Sequence, residues 1–234
     1  KQKIKNTNLF FKKYIKNVVE FNTNNILKNY SIKSSWASYS STGNKYSYSS
    51  IEQLKSNLII GVRFIHLNIY NEEGQPMVKG ENEQSVDNPK GLMFDDCCKT
   101  IREYGFENEN ISSYPLFLYL ELMYDSIRTD ISNIIGESIK KHFGDKYPDI
   151  KYGYAKQNLA VENVDNFKNK VILLLNYGNE EKTRFDGYCL QELTHGYIQT
   201  YNYLPKTPED KHTIIALKPN DVNNTYNPID FNLK

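Results

Sequence analysis

The sequence predicts an α/β domain built on a parallel sheet that closes into a barrel. Three observations carry this. Apolar runs rich in β-branched and aromatic residues alternate with stretches of helical period, the pattern of a parallel sheet with crossover helices. Six or more such runs occur, which favours closure over an open sheet. The length, 234 residues, is ordinary for one barrel domain.

Each element follows from its residues. Leu9 to Phe21, "LFFKKYIKNVVEF", places apolar residues on one helical face with Lys12, Lys13 and Lys16 opposite or flanking. It reads as an amphipathic helix packed on its own domain, in an N-terminal helical segment 1–30 ahead of a barrel 31–234. Ser31 to Ser35 is a short strand-like run that breaks into the loop "WASYSS". Ser49 or Ser50 is the expected N-cap of a helix "IEQLKSNL". "IIGVRFIHLNIYN", 59–71, is apolar almost throughout, as a strand buried on both faces requires. A turn at Glu72–Pro76 leads to a short strand, "PMVKG". Residues 81–91 read as a polar loop, and 92–106 as a helix ending near Gly105. A strand at 114–123, a helix at 126–144 closed by Gly144, and strands at 169–178, 195–204 and 211–219 complete the pattern, with an extended tail behind them.

Composition removes some functions. Lys and Arg total 29 against 28 Asp and Glu, a net charge of +1, so no whole-surface basic footprint for nucleic acid exists. Cys97, Cys98 and Cys189 form neither a CxxC pair nor a cluster of zinc spacing, and read as reduced thiols. No apolar run reaches the length of a transmembrane helix; Val171 to Leu175 is far too short. No signal-peptide pattern is visible, and because the chain opens on lysine its true N-terminus is not in view. The expected setting is a reducing intracellular compartment or a virion. The virion enters through composition: abundant Asn, Lys, Ile and 19 tyrosines are read as the coding bias of an AT-rich genome, such as that of some large DNA viruses or protists.

Several stretches fall into a known order: "YSIKSSWASYSSTG", "SIEQLKSNLIIGVRFIHLNIYNEEGQPMVKG", "FDDCCKTIREYGF", "YPLFLYLEL", "GESIKKHFGDK" and "FKNKVILLLN". This order resembles the X region of phosphatidylinositol-specific phospholipase C. The terminal "IIALKPNDV…NTYNPIDF" is similar to the last barrel strand and tail of that family's second half. The likeness runs roughly from residue 28 to 232 and rests on block order and spacing. It implies a distorted (β/α)₈ barrel of the TIM type, with its site where the loops after the strands converge.

The family's reaction uses calcium, two histidines, a carboxylate and basic side chains that hold inositol phosphates; positive groups near the phosphoryl oxygens lower the barrier. The resemblance puts the first histidine on Trp36, whose indole cannot transfer a proton at neutral pH. It puts a calcium-ligand asparagine on Ala37, which has no side-chain oxygen. Two acids fall on His66 and Asn68, at i and i+2 of one strand and so on one face. Calcium wants six or more oxygens with negative charge among them, which this pair supplies poorly. The second histidine falls nearest Lys79, with Glu81 as its expected ion partner. Glu121 is the one matching carboxylate, placed to bond His66 or to salt-bridge Lys79. The substrate lysine falls on Leu174. Of the remaining histidines, His142 and His212 read as surface residues and His195 is unassigned.

The expectation is a catalytically impaired phospholipase C-like barrel in a structural or binding role. Trp36 would be an apolar plug in the vacated mouth. No cofactor or metal is expected; Asn68 and Glu121 are the remaining candidates for a metal, with His66 open to a softer one or to acid-base work. The partners that follow are other virion or structural proteins, or a phosphoinositide lipid at a membrane surface. The alternatives are an active phosphoric diester hydrolase using His66, Lys79 and Glu121, or a barrel that binds a lipid head group without turnover.

Overall fold

Ser50 stands in extended conformation and its hydroxyl accepts the amide of Gln53, so a helix, α1, starts at once and runs Ile51–Ile59. Gly61, at φ +86°, ends it. The computed structural model describes residues 26–27, 30, 32–41, 48–80, 91–107, 113–123, 129–148, 152, 159–176, 195–201 and 213–217. The expected helix at 9–21, the polar loop at 81–90, Cys189, His212 and the C-terminal tail lie outside them.

Ahead of α1 lies β1 (Ser34–Ser35), and behind it β2 (Phe64–Glu72). The strand expected from residue 59 therefore starts five residues later: Ile59 and Ile60 are apolar because they close a helix. Glu73 and Gly74 both have positive φ, the requirement of a two-residue turn matched to strand twist, and β3 (Gln75–Val78) returns from it. Residues 92–93, expected in a helix, form a short strand β4 (Leu92–Met93), and α2 follows at once (Phe94–Phe106). A Cβ on Gly91 would lie 2.8 Å from the Val78 carbonyl oxygen, so only glycine lets β4 approach β3 here. Gly105 lies inside α2, where its bare Cα admits the Leu116 side chain. The expected C-cap is thus a packing glycine. Then come β5 (Leu116–Leu122), α3 (Thr129–Phe143), β6 (Val171–Asn176), β7 (Gly196–Tyr201) and β8 (Thr213–Leu217).

The strands form one eight-stranded mixed sheet in the order β4-β3-β2-β5-β6-β7-β8, with β1 on β2. The pairs β1–β2, β2–β5, β5–β6, β6–β7 and β7–β8 are parallel; the β2–β3–β4 pairings are antiparallel. Among the described residues no pairing joins β8 to β1.

The two sheet faces differ. Ile65, Leu67 and Ile69, Leu118 and Leu120, and Leu173 and Leu175 pack with Leu54, Leu58, Ile101, Ile135 and Phe143 of the helices in one aliphatic core. The opposite face is layered by the register. Phe64, Phe117 and Ile172 stand level, next His66, Tyr119 and Leu174, then Asn68, Glu121 and Asn176. Polarity thus rises toward the carboxyl ends of the strands, where α/β sheets place their ligands. Cys97 and Cys98 are free thiols buried under the helices, and no described helix is long and apolar enough to cross a membrane.

Candidate functional site

The site is built around His66, the third residue of β2, which is wholly buried. Its Nδ1 accepts the backbone N–H of Ala37 at 3.0 Å. An imidazole that accepts at Nδ1 carries its proton on Nε2 when neutral. That nitrogen lies 3.1 Å from Glu121 Oε2, so Nε2–H donates to the carboxylate. Glu121 is 4% exposed. The pairing follows from the sheet: Asn68 and Glu121 are register partners, which leaves His66 one layer below Glu121 on the neighbouring strand.

Two aromatic rings pack against the imidazole as well, and they stand 6.1 Å from one another. Trp36 stacks on His66 with centroids 4.0 Å apart, and Tyr119 stacks at 4.7 Å. Trp36 itself is half-buried and packs with the second core cluster. The indole thus sits against imidazole at the point where the short strand β1 ends.

The turn that delivers it is fastened from below. Ser38 N–H donates to the His66 carbonyl at 3.0 Å, and His66 N–H donates to Ser38 Oγ at 3.0 Å. That hydroxyl donates on to the Ser35 carbonyl at 2.9 Å. Asn57 of α1 donates through Nδ2 to the Ser38 carbonyl at 2.8 Å and to Ser35 Oγ at 3.2 Å. Ala37 takes φ +43°, a left-handed conformation rare for alanine.

The predicted residues divide accordingly. Trp36, Ala37, His66 and Glu121 meet in one cluster, and Asn68 borders it. The Asn68 side-chain oxygen is buried without a hydrogen-bond partner. Lys79 stands apart: its ammonium pairs with Glu72 across the β2–β3 hairpin and lies 5.2 Å from the Tyr70 ring centroid. Its described ion partner is Glu72, while Glu81 lies outside the described residues. Of the two contacts open to Glu121, the one with His66 forms. Leu174 is fully buried, the register partner of Tyr119. His142 is no surface residue; its side chain is 12% exposed and its Nε2 lies 2.9 Å from Asp95. His195 is buried, accepts the Leu173 amide at Nδ1, and is held at about 4 by burial. Sequence reasoning passed over Tyr119, Ser38 and Asn57. Tyr119 was within reach, because it stands at i−2 from Glu121 and so shares its face.

The family model for the phosphatidylinositol-specific phospholipase C X domain matches residues 23–176. The chain belongs to this family. No curated protein matches it. Among solved structures, PLC21 of L. pealei superposes on this X domain with a TM-score of 0.64 at 16% identity, over 85% of this chain and 31% of that one. PLC21 of S. officinalis gives 0.62 at 17% identity, with coverages of 85% and 31%. A calcium-dependent phosphoinositol-specific phospholipase C from a Pseudomonas species gives 0.55 at 11% identity, over 80% of this chain and 70% of that one. At these identities the likeness is one of fold. This X domain spans about a third of the two PLC21 chains.

Proposed function

We propose that this X domain is a phospholipase C-like scaffold without phosphodiesterase activity, serving a structural or binding role. The observation that carries the reading is the closed state of His66. Its Nδ1 holds a main-chain amide, its Nε2–H is given to Glu121, and the buried imidazole packs against two aromatic rings. General acid-base catalysis needs a nitrogen free to take or give a proton at the substrate, and is worth roughly 10²–10⁴-fold in rate. Trp36 has no such nitrogen, and Lys79 is committed to Glu72.

Among the described residues, the donor set does not fit calcium. Glu121 brings one carboxylate, already accepting from imidazole; Asn68 brings one neutral oxygen; Ala37 brings none. A hard cation of this kind wants six or more oxygens and several negative charges. The substrate-lysine position carries Leu174, a buried apolar residue. The same reading extends the sheet to a distorted (β/α)₈ barrel over residues 31–234, with an N-terminal helical segment before it, and gives it other structural proteins as partners. A composition read as AT-rich coding bias, as in some large DNA viruses or protists, is what supports a virion as the setting for that role.

Calcium calorimetry run beside a phosphatidylinositol cleavage assay tests this. The expected result is no calcium heat at the site and no released inositol phosphate. Turnover that Glu121→Gln abolishes would overturn the reading in favour of a rearranged diester hydrolase. A heat on adding inositol phosphate, without turnover, would assign the scaffold to head-group binding.

A further inference from the structure

We infer that Ser38 and Asn57 are positioning residues that lock His66 in one tautomer and thereby keep its second ring nitrogen from acting as a base. The inference deepens the inert reading above and rests on it for its consequence.

The argument starts from the direction of each hydrogen bond. A main-chain N–H can only donate, so Ala37 fixes Nδ1 of His66 as an acceptor. Ala37 reaches that nitrogen because the turn 36–38 is held at a left-handed φ, a conformation that surrounding contacts must enforce on alanine. The contacts that enforce it converge on Ser38. It exchanges hydrogen bonds with both main-chain groups of His66, one through its amide and one through its hydroxyl. The hydroxyl spends its single proton on the Ser35 carbonyl, which closes the turn. Ser38 is fully buried, so water does not replace these partners. Asn57 then ties the Ser38 carbonyl and the Ser35 hydroxyl to α1 with one amide nitrogen.

The clasp has a chemical consequence. With it in place, Nδ1 is occupied and Nε2–H points at Glu121. Released, the turn would carry the Ala37 amide and the Trp36 ring away together. The imidazole could then exchange its proton between nitrogens and present a lone pair. The clasp is thus the device that separates a buried histidine from a usable one.

The test is nitrogen-15 NMR of the imidazole rings in the full chain, which holds four histidines. Wild-type protein should show His66 wholly as the Nε2–H form. Ser38→Ala and Asn57→Asp should each replace that pattern with averaged ring shifts, and the Trp36 emission should move to the red. Ser38→Thr, which keeps the hydroxyl, should restore the single tautomer. Thr100→Val removes a buried hydroxyl bond in α2 that is remote in sequence from the site, and should lower stability while leaving the His66 shifts in place. Should Ser38→Ala not fold, Asn57→Asp decides, since Asn57 is only half-buried. Folded Asn57→Asp protein with unmoved His66 shifts would overturn the clasp and leave the inert reading standing. Phosphatidylinositol cleavage by the wild-type chain would overturn the inert reading and leave the clasp standing.

Discussion

His66 and His195 are both buried imidazoles that accept a main-chain amide at Nδ1, yet they do different work. His195 precedes β7, exchanges its own amide with the Leu173 carbonyl at 2.9 Å, and takes the Leu173 amide on its ring at 3.1 Å. It extends the β6 ladder where β7 has yet to begin, and its ring stacks on Tyr147 at 5.5 Å. His66 lies within β2 and meets a carboxylate with its other nitrogen. A main-chain donor settles the tautomer in both places. What stands at the far nitrogen then decides whether the ring is a ladder piece or the centre of a polar cluster.

The largest effect should come from breaking the His66 pair. His66→Ala takes the N–H donor from a buried carboxylate and opens a hole beside Trp36 and Tyr119, at a cost of about 3–5 kcal/mol. Glu121→Gln keeps an oxygen to accept Nε2–H, and should cost about 1 kcal/mol. His195→Ala leaves one buried amide without its acceptor, about 1–3 kcal/mol. Urea unfolding of the three variants checks the order. If His195→Ala costs as much as His66→Ala, the contrast between ladder piece and cluster centre is lost.

Acid should act next, and on the other histidine. Burial holds the folded His195 at about 4, below its usual 6.5. The unfolded chain therefore takes up the proton first as pH falls. The stability tied to His195 is complete above pH 6.5 and drains away between 6.5 and 4. The loss across that window is about 3 kcal/mol. His195→Asn offers the Leu173 amide a non-titrating oxygen, so its stability curve should be flatter over the same window. Asp95 adds a separate decline at lower pH, because its hydrogen bond from Lys141, reinforced by His142, holds it below the usual carboxylate range. A wild-type curve level from pH 6.5 to 4 would show that His195 is not buried neutral.

These two histidines also mark how far the sequence could be read. The parallel strands β5 and β6 were legible because buried parallel strands need unbroken apolar runs, and α1 because Ser50 is a cap. The start of β2 was not, since Ile59 and Ile60 satisfy strand and helix end equally; the boundary lies in the backbone angle of Gly61. His66, Asn68 and Glu121 could be placed on strands by period alone. Their meeting could not, because it depends on the β2–β5 register, which no local pattern states. The clasp was the least legible part. It depends on amide directions and on contacts between residues far apart in sequence, and serine and asparagine side chains announce neither.

The smallest effect is the one that isolates the backbone. Ala37 sits at φ +43°, where its Cβ costs about 1–2 kcal/mol relative to an ordinary right-handed residue. Ala37→Gly removes that strain and adds freedom to the unfolded chain, so the net change should be a stabilisation of up to about 1 kcal/mol. The direction is diagnostic, because glycine for alanine ordinarily destabilises. The substitution leaves the residue-37 amide and its bond to His66 Nδ1 in place, so thermal unfolding should shift upward while the His66 ring shifts stay fixed. A downward shift would mean that the turn does not hold Ala37 left-handed, and that the amide reaches His66 by another backbone path.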